Sequence, residues 1–343
     1  MIRSVLGAIS SEMAIDLGTS TTRITVAGRG LSCCAASAVA IHEERDGHRR
    51  ILAVGEPALE MLGRSPPDIH VVHPIIDGVI SDFEIAEAML RHFMLQVQGR
   101  LLWVGPRVTV CVPYGTTDME KRAIRELAEA SGAREVRTVE QPIAAALGAE
   151  LPIQDARGHM VVDVGAGTTE IAVTSLGGVV YSRNLKVGGG HMDRAIVHHI
   201  RKEHRLLIGP RTAEEVKCAL GSAVPPRKKK PRHFVIKGRD LNTGYPRALE
   251  VTDAEIHAAL RHPVKMIIDA VRASLEHTPP ELAADVAQTG IVMTGGGALL
   301  GRLDRALSQT TSLPVIVPED PDLCVVRGAL EASNRQGEQA AIA

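Results

Sequence analysis

Aromatic residues are nearly missing from this chain. Among 343 residues there are one Trp, three Tyr and three Phe, 2 % in all. That removes the stacking platforms on which single-stranded nucleic acids are held, and it leaves the cores to Val, Ile, Leu and Ala. Net charge is missing too, at −1, so bulk electrostatics gives no pull toward nucleic acid and no such partner is expected. No apolar run approaches the roughly 20 residues of a membrane-spanning helix. The five cysteines, Cys33, Cys34, Cys111, Cys218 and Cys324, show no CxxC and no paired metal-ligand spacing. An odd, unpatterned set in a chain this long reads as reduced thiols of a cytoplasmic protein. No convincing signal peptide opens the chain. Two nucleotide signatures are also absent: the GxxxxGK[ST] of a P-loop, and a GxGxxG after the first strand, which makes a Rossmann dehydrogenase an unlikely reading.

What is present is ordinary in bulk, 45 % hydrophobic and 23 % charged, with length enough for two domains. One short design occurs twice. Ala14-Ile15-Asp16-Leu17-Gly18-Thr19-Ser20-Thr21-Thr22 runs into Arg23-Ile24-Thr25-Val26, and Val161-Val162-Asp163-Val164-Gly165-Ala166-Gly167-Thr168-Thr169 runs into Glu170-Ile171-Ala172-Val173. Each reads as a β-hairpin: an apolar strand, an aspartate near its end, and a tight turn rich in glycine and hydroxyls. Such turns let backbone N–H groups converge on an anion. Each aspartate is placed to hold a hydrated metal ion. Two matched copies point to two half-domains closing on one polyphosphate from opposite sides.

Between and after the hairpins the chain alternates strand and helix, the pattern of an α/β protein. Residues 1–11 form a leader in which Ile2, Val5, Leu6 and Ile9 share one helical face, either a packed or disordered terminus or a membrane-surface helix. Residues 83–98 read as a helix with Ile85, Met89, Leu90, Phe93 and Met94 on its apolar face. Then Leu101, Leu102, Trp103 and Val104 stand between glycines, either folded onto the core or exposed for a partner or a lipid surface. Val108–Val112 is a buried strand, and Thr117 with Glu120 forms a capping box opening a helix that ends at Gly132. Strand 136–139 leads through Glu140-Gln141-Pro142 into an alanine-rich helix over 143–149. Gly188-Gly189-Gly190 precedes a helix expected from Asp193 to His204. Helices are expected over 212–220 and 253–275, with a basic, proline-broken loop at 224–233 between them. Strand 291–293 runs into Thr294-Gly295-Gly296-Gly297-Ala298 and a helix. A strand near 314–317, a helix near 322–332 and a polar tail complete the chain.

The Gly295–Gly297 turn, lying between strand and helix, offers N–H groups and a bare backbone to a nucleotide. Glu214 and Lys217 stand three apart on one helical face. They can grip a ribose and a purine edge, or form a surface ion pair.

These residues resemble a known set. The two Asp-Gly-Thr-type hairpins, the alanine-rich helix after Glu-Gln-Pro and the Thr-Gly-Gly-Gly turn resemble the actin/sugar-kinase/DnaK-type ATPase superfamily, and within it the bacterial rod-shape MreB family. Ile15–Thr19, Met61–Arg64, Asp77–Ile80, Arg122–Glu126, Gly132–Val136 and Thr294–Leu300 all read like that family, and the resemblance spans about residues 12–332. It implies an actin-like fold: two similar α/β domains around a nucleotide cleft, each with a smaller subdomain. The divisions are a leader at 1–11 and domain I at 12–150, with its small subdomain at 33–80. Domain II follows at 151–320, with its own at 188–250. A helix at 321–335 returns to domain I, and 336–343 is a tail.

The resemblance further implies ATP or ADP with Mg²⁺, the metal held through water by Asp16 and Asp163. Gly18, Thr19, Ser20, Thr21, Gly165, Ala166 and Gly167 would meet phosphates. Gly188, Gly189, Glu214, Lys217, Gly295, Gly296, Gly297 and Ala298 would line the rest. Thr168, Asp163, Glu140 and Gln141 would serve hydrolysis. It implies homopolymer filaments on the inner face of the cytoplasmic membrane, the loop Leu101–Val104 inserted in lipid, and cell-wall synthesis or shape proteins as partners. Three departures stand out. Gln141 replaces the family's second Glu, so it can orient water by hydrogen bonds but cannot act as a base. Gly188–Gly190 stands where Gly-Gly-Asp is usual, and the basic run at 227–232 is atypical. Other filament proteins of the fold, of magnetosome or division type, and a small-molecule kinase are the alternatives. The kinase needs a substrate pocket with a catalytic aspartate, and larger inserts than these. A chaperone ATPase needs a substrate-binding domain after the ATPase portion.

Overall fold

The computed structural model describes residues 11–44, 48–98, 105–226 and 230–342, with side chains as far as residue 335. The leader at 1–10, the apolar loop Leu101–Val104 and the lysine-rich centre of the basic run at 227–229 lie outside the described residues. The chain divides into two compact units, Met1–Pro152 with Leu323–Ala343, and Ile153–Asp322.

The first unit is built on a five-stranded sheet of β1 (Glu12–Leu17), β2 (Thr21–Val26), β3 (Gly30–Ala36), β9 (Arg107–Val112) and β10 (Glu135–Glu140), in the order β10-β9-β1-β2-β3. Between β3 and β9 come β4 (Val39–Glu43), β5 (Arg49–Val54) and β6 (Ile69–Val72), which form a small sheet of order β5-β4-β6. The short hairpin β7 (Ile75–Ile76) and β8 (Val79–Ile80) follows. The central strand β1 is buried from Met13 to Leu17, as its apolar run requires. Helix Phe83–Gln98 buries Ile85, Met89, Leu90, Phe93 and Met94 together, the face read from their spacing. Helix Asp118–Ala130 opens on the Thr117–Glu120 capping box. The Thr117 N–H donates to the Glu120 carboxylate at 2.8 Å and the Glu120 N–H to Thr117 Oγ1 at 3.3 Å.

The second unit repeats the sheet. Its strands are β11 (His159–Val164), β12 (Thr169–Ser175), β13 (Gly178–Leu185), β17 (Ile291–Thr294) and β18 (Val315–Ile316), in the order β13-β12-β11-β17-β18. In both units three consecutive strands pair antiparallel, and two later strands add in parallel beside the first. A smaller sheet of β14 (Leu206–Leu207), β15 (His233–Asp240) and β16 (Pro246–Thr252) completes the strands. Helix Asp253–Glu276 buries Ile256, Leu260, Val264, Ile267 and Val271 against the same core as β11.

Four readings from the sequence are corrected. The helix placed at Asp193–His204 begins at Gly189, so two of the three glycines form its first turn rather than a linker. A helix also spans Pro280–Thr289, where the sequence pattern predicts none. It buries only Val286, too little apolar periodicity to stand out. The Thr294–Ala298 turn leads first into a single 3₁₀ turn, Gly296–Leu299, and the α-helix starts later, at Leu303. The last helix runs from Cys324 to Ile342 and takes in the tail, instead of ending near 332.

That last helix lies against helix Gln141–Gly148 with almost no side-chain layer between. A Cβ on Gly148 would stand 1.8 Å from the Cys324 carbonyl oxygen, and one on Gly328 would stand 1.8 Å from that of Ala144. Alanines 144, 145 and 146 are fully buried. Small residues on both sides allow the backbones to touch, and this contact holds the helix whose first residue is Gln141.

Candidate functional site

The two hairpins share one register. Asp16 faces Arg23 across β1 and β2, and Asp163 faces Glu170 across β11 and β12. In each case the aspartate is the last residue but one of its strand. The first aspartate is 8 % exposed. Burial raises its carboxyl above the ordinary range, while Arg23 and a hydrogen bond from Gln141 draw it back down. Gln141 is thus placed to hydrogen-bond the candidate metal-holding carboxylate, an interaction that a second carboxylate could not make while both were ionised. Glu140, the residue before it, lies 3.9 Å from Lys121.

The first turn is braced from behind. The Ser37 N–H donates to the Ser20 carbonyl at 2.9 Å. The Ser37 hydroxyl donates to the Gly18 carbonyl at 2.7 Å and lies 2.8 Å from Thr22 Oγ1. Thr19 Oγ1 accepts the N–H of Asp77 at 2.9 Å. Its hydroxyl is thus tied to the β7–β8 turn, where Asp77 takes φ 51° and Gly78 φ 79°. Gly18 is required sterically, since a Cβ there would meet the Thr21 carbonyl oxygen at 2.6 Å. Ser20 is exposed at the turn's tip.

The second turn is closed by the Gly165 N–H donating to the Thr168 carbonyl at 2.8 Å. Behind it the Gly189 and Gly190 N–H groups donate to the carbonyls of Gly165 and Ala166 at 2.9 and 2.8 Å. Gly188 fits only because it has no side chain: a Cβ would lie 2.4 Å from Gly165 O and 2.7 Å from Ala166 O. Its own N–H donates to His191 Nδ1 at 3.3 Å. The glycine triplet thus seats the Gly165–Thr168 turn. Asp163 is oriented by Thr294, whose hydroxyl donates to its Oδ1 at 2.8 Å.

In the Gly295–Gly297 turn, expected to offer N–H groups to a nucleotide, one N–H is committed within the protein. The Gly295 N–H donates to the Pro321 carbonyl at 2.7 Å. Cβ atoms on Gly295 and Gly297 would strike Val164, at 2.4 Å from its carbonyl and 2.3 Å from its side chain. These two glycines let the turn pack on β11, and only Gly296 faces open space. Ala298 is buried beside them. Of the two readings of Glu214 and Lys217, the alternative of a mutual ion pair is replaced. Lys217 Nζ instead contacts Asp193 at 2.8 Å and donates to the Gly189 carbonyl at 3.2 Å.

Sequence reasoning missed Ser37, Thr294 and Asp193. Ser37 and Asp193 carry no local pattern. Thr294 stands out only as part of its glycine motif, although its place at the end of the strand 291–293 is a usable signal. Among the described residues no three His, Cys, Asp or Glu side chains gather as a metal-holding group. Mg²⁺ keeps most of its waters and takes one or two carboxylates, so lone carboxylates such as Asp16 and Asp163 fit it.

A doubled sheet with an aspartate hairpin at the head of each copy defines a protein of the actin-like fold. MreB5 of Spiroplasma citri bound to AMPPNP matches with a TM-score of 0.90 at 34 % identity, over 97 % of this chain and 99 % of that one. The MamK double helical filament shares the fold, with a TM-score of 0.79 at 23 % identity over 95 % and 99 %. The chain belongs to the MreB/Mbl family, whose model, MreB/Mbl protein, matches residues 10–340. It is 47 % identical to the cell shape-determining protein MreB of Escherichia coli (strain K12), over 98 % of each chain. It is 43 % identical to the cell shape-determining protein Mbl of Bacillus subtilis (strain 168), over 92 % of this chain and 94 % of that one.

Proposed function

We propose that this protein binds ATP and ADP with Mg²⁺, hydrolyses ATP slowly, and polymerises into filaments on the inner face of the cytoplasmic membrane, where it organises cell shape and cell-wall synthesis. The observation that carries the reading is the pair of aspartate hairpins with one register, in a chain 47 % identical to a cell shape-determining protein over nearly its whole length. The MreB5 relative binds AMPPNP in one structure and ADP in another, which supports nucleotide binding here.

On this reading the turns Gly18–Thr21 and Gly165–Thr168 hold phosphates, and the backbone at Gly296 faces the nucleoside. Asp16 and Asp163 hold Mg²⁺ through water. When bound, the metal neutralises charge on phosphate oxygens. Thr294 fixes the rotamer of Asp163, and Gln141 fixes Asp16. With its remaining hydrogen-bonding atoms Gln141 orients the attacking water without taking its proton, so catalysis rests on positioning. The four-part division, with small subdomains at 33–80 and 188–250, belongs to the same proposal.

Membrane attachment is assigned to Leu101–Val104. Among the described residues no helix is long and apolar enough to cross a membrane. A buried Leu or Val side chain contributes roughly 1.5–3 kcal/mol, so one copy of the loop adheres weakly and a filament adheres by avidity. Co-sedimentation with liposomes in ATP, ADP or no nucleotide, with electron microscopy of the pellet, tests the whole reading. ATP-dependent filaments lying on lipid are expected. A monomer under every condition refutes the filament reading, and ATP turnover stimulated by a small substrate would favour a kinase.

A further inference from the structure

The ammonium of Lys217 is held in place by groups of the protein itself. Its Nζ lies 2.8 Å from Asp193 Oδ1, donates to Asp193 Oδ2 at 2.9 Å and donates to the Gly189 carbonyl at 3.2 Å. Both side chains are largely buried, 15 % exposed for Lys217 and 16 % for Asp193. The pair joins helix Pro210–Leu220 to the first turn of helix Gly189–His204. The N–H of the same residue, Gly189, donates to the Gly165 carbonyl in the second hairpin turn. One glycine residue, through its C=O on one side and its N–H on the other, thus connects Lys217 to the phosphate-binding turn of the proposed site.

We propose that Asp193 is a positioning residue for nucleotide recognition: it clamps Lys217, cancels its charge and leaves one N–H of the ammonium for an uncharged acceptor, a sugar hydroxyl of the bound nucleotide. The inference rests on the nucleotide reading above and adds to it the residue that sets the chemistry of Lys217. A lysine ammonium has three donors, and Asp193 Oδ2 and Gly189 O take two of them. A free lysine would act as a point charge and favour phosphate. This one is neutralised by its partner, and Glu214 and Arg194 flank the pair with opposite charges. What it offers a ligand is therefore direction rather than net charge, which suits a hydroxyl.

The test is calorimetric titration of the full-length chain, with Mg²⁺ present, using ADP, 2′-deoxy-ADP and 3′-deoxy-ADP. The wild type is expected to bind ADP about tenfold more tightly than at least one deoxy analogue, the worth of one good hydrogen bond. Asp193→Asn is expected to bring that ratio within about twofold. A residue with a merely structural role would weaken all three ligands alike and keep the ratio, and that result overturns the proposal. Removing one member of a buried pair can unfold a protein, whereas removing both commonly does not. The double variant Asp193→Asn/Lys217→Met therefore gives an independent reading: a flattened ratio is expected, and a ratio still near tenfold overturns the inference. A wild type that binds ADP without discrimination against either analogue overturns this inference alone. A wild type that binds none of the three overturns the nucleotide reading, and the inference with it.

Discussion

Replacing Gly328 by Ala tests whether the contact between helices Cys324–Ile342 and Gln141–Gly148 holds Gln141 in place. The new Cβ would stand 1.8 Å from the Ala144 carbonyl oxygen and 2.5 Å from the Gly148 nitrogen. That is roughly 1.5 Å or more inside ordinary non-bonded contact. Both opposing atoms are backbone, so no side chain can swing aside and one helix must move. Overpacking of this kind costs about 3 kcal/mol, at the upper end of its usual range. Alanine returns about 1 kcal/mol as the better helix former. The clash wins, leaving roughly 2 kcal/mol of net destabilisation. For a unit of this size that lowers Tm by roughly 4–8 °C. Because Gln141 begins the displaced helix, its amide leaves the Asp16 carboxylate and phosphate release slows as well. Melting curves and a phosphate-release assay on the same preparation read both effects. Gly178→Ala is the control, since its Cβ would find only the Ser175 carbonyl oxygen, at 3.9 Å. If Gly328→Ala melts within about 1 °C of wild type and releases phosphate at the same rate, the close-contact argument is wrong.

Three further outcomes are expected. His159 is 4 % exposed, both its ring nitrogens lack hydrogen-bond partners among the described residues, and burial pushes its pKa below the usual 6.5, partly offset by Asp155 and Asp285. The unfolded chain thus binds the proton more readily, so stability falls as pH drops below about 6.5. His159→Leu removes that slope and adds about 1 kcal/mol at neutral pH, and melting curves from pH 5 to 8 that keep the wild-type slope would contradict it. Gln141→Glu supplies a base where the wild type has only a hydrogen-bonding amide, and it is expected to speed phosphate release from filaments. An unchanged or slower rate refutes the expectation that a base at this position speeds hydrolysis. Leu102→Ser with Trp103→Ser should abolish liposome binding while leaving ADP affinity unchanged, and retained liposome binding would remove the loop from the membrane proposal.

Much of the architecture could be read from local pattern. The apolar face of helix Phe83–Gln98 announced itself by spacing, and Thr117 with Glu120 marked a helix start that the backbone then adopted. Where the pattern was weak the reading failed. Helix Pro280–Thr289 buries one residue, and the polar stretch from Ser333 to Gln339 of helix Cys324–Ile342 carries no apolar stripe to betray its helicity. In the site, Asp16 and Asp163 were visible because each sits in a strand-turn signature with its own chemistry. Ser37, Thr294 and Asp193 were not singled out, because each acts on a residue distant in sequence.

The sequence by itself determined the two hairpins, since the period of apolar residues, the aspartates and the glycine turns are all local. It also carried the departure at Gln141. Only the tertiary structure decided why these positions must be glycine. Gly188, Gly295 and Gly297 are required sterically, because another backbone or Val164 comes within 3 Å of where their side chains would begin. It likewise decided that Lys217 answers to Asp193 rather than to Glu214, one turn away on its own helix. The physical reason is the same in both cases. A close approach or a buried charge pair depends on which elements the core brings together, and no spacing within one element records that.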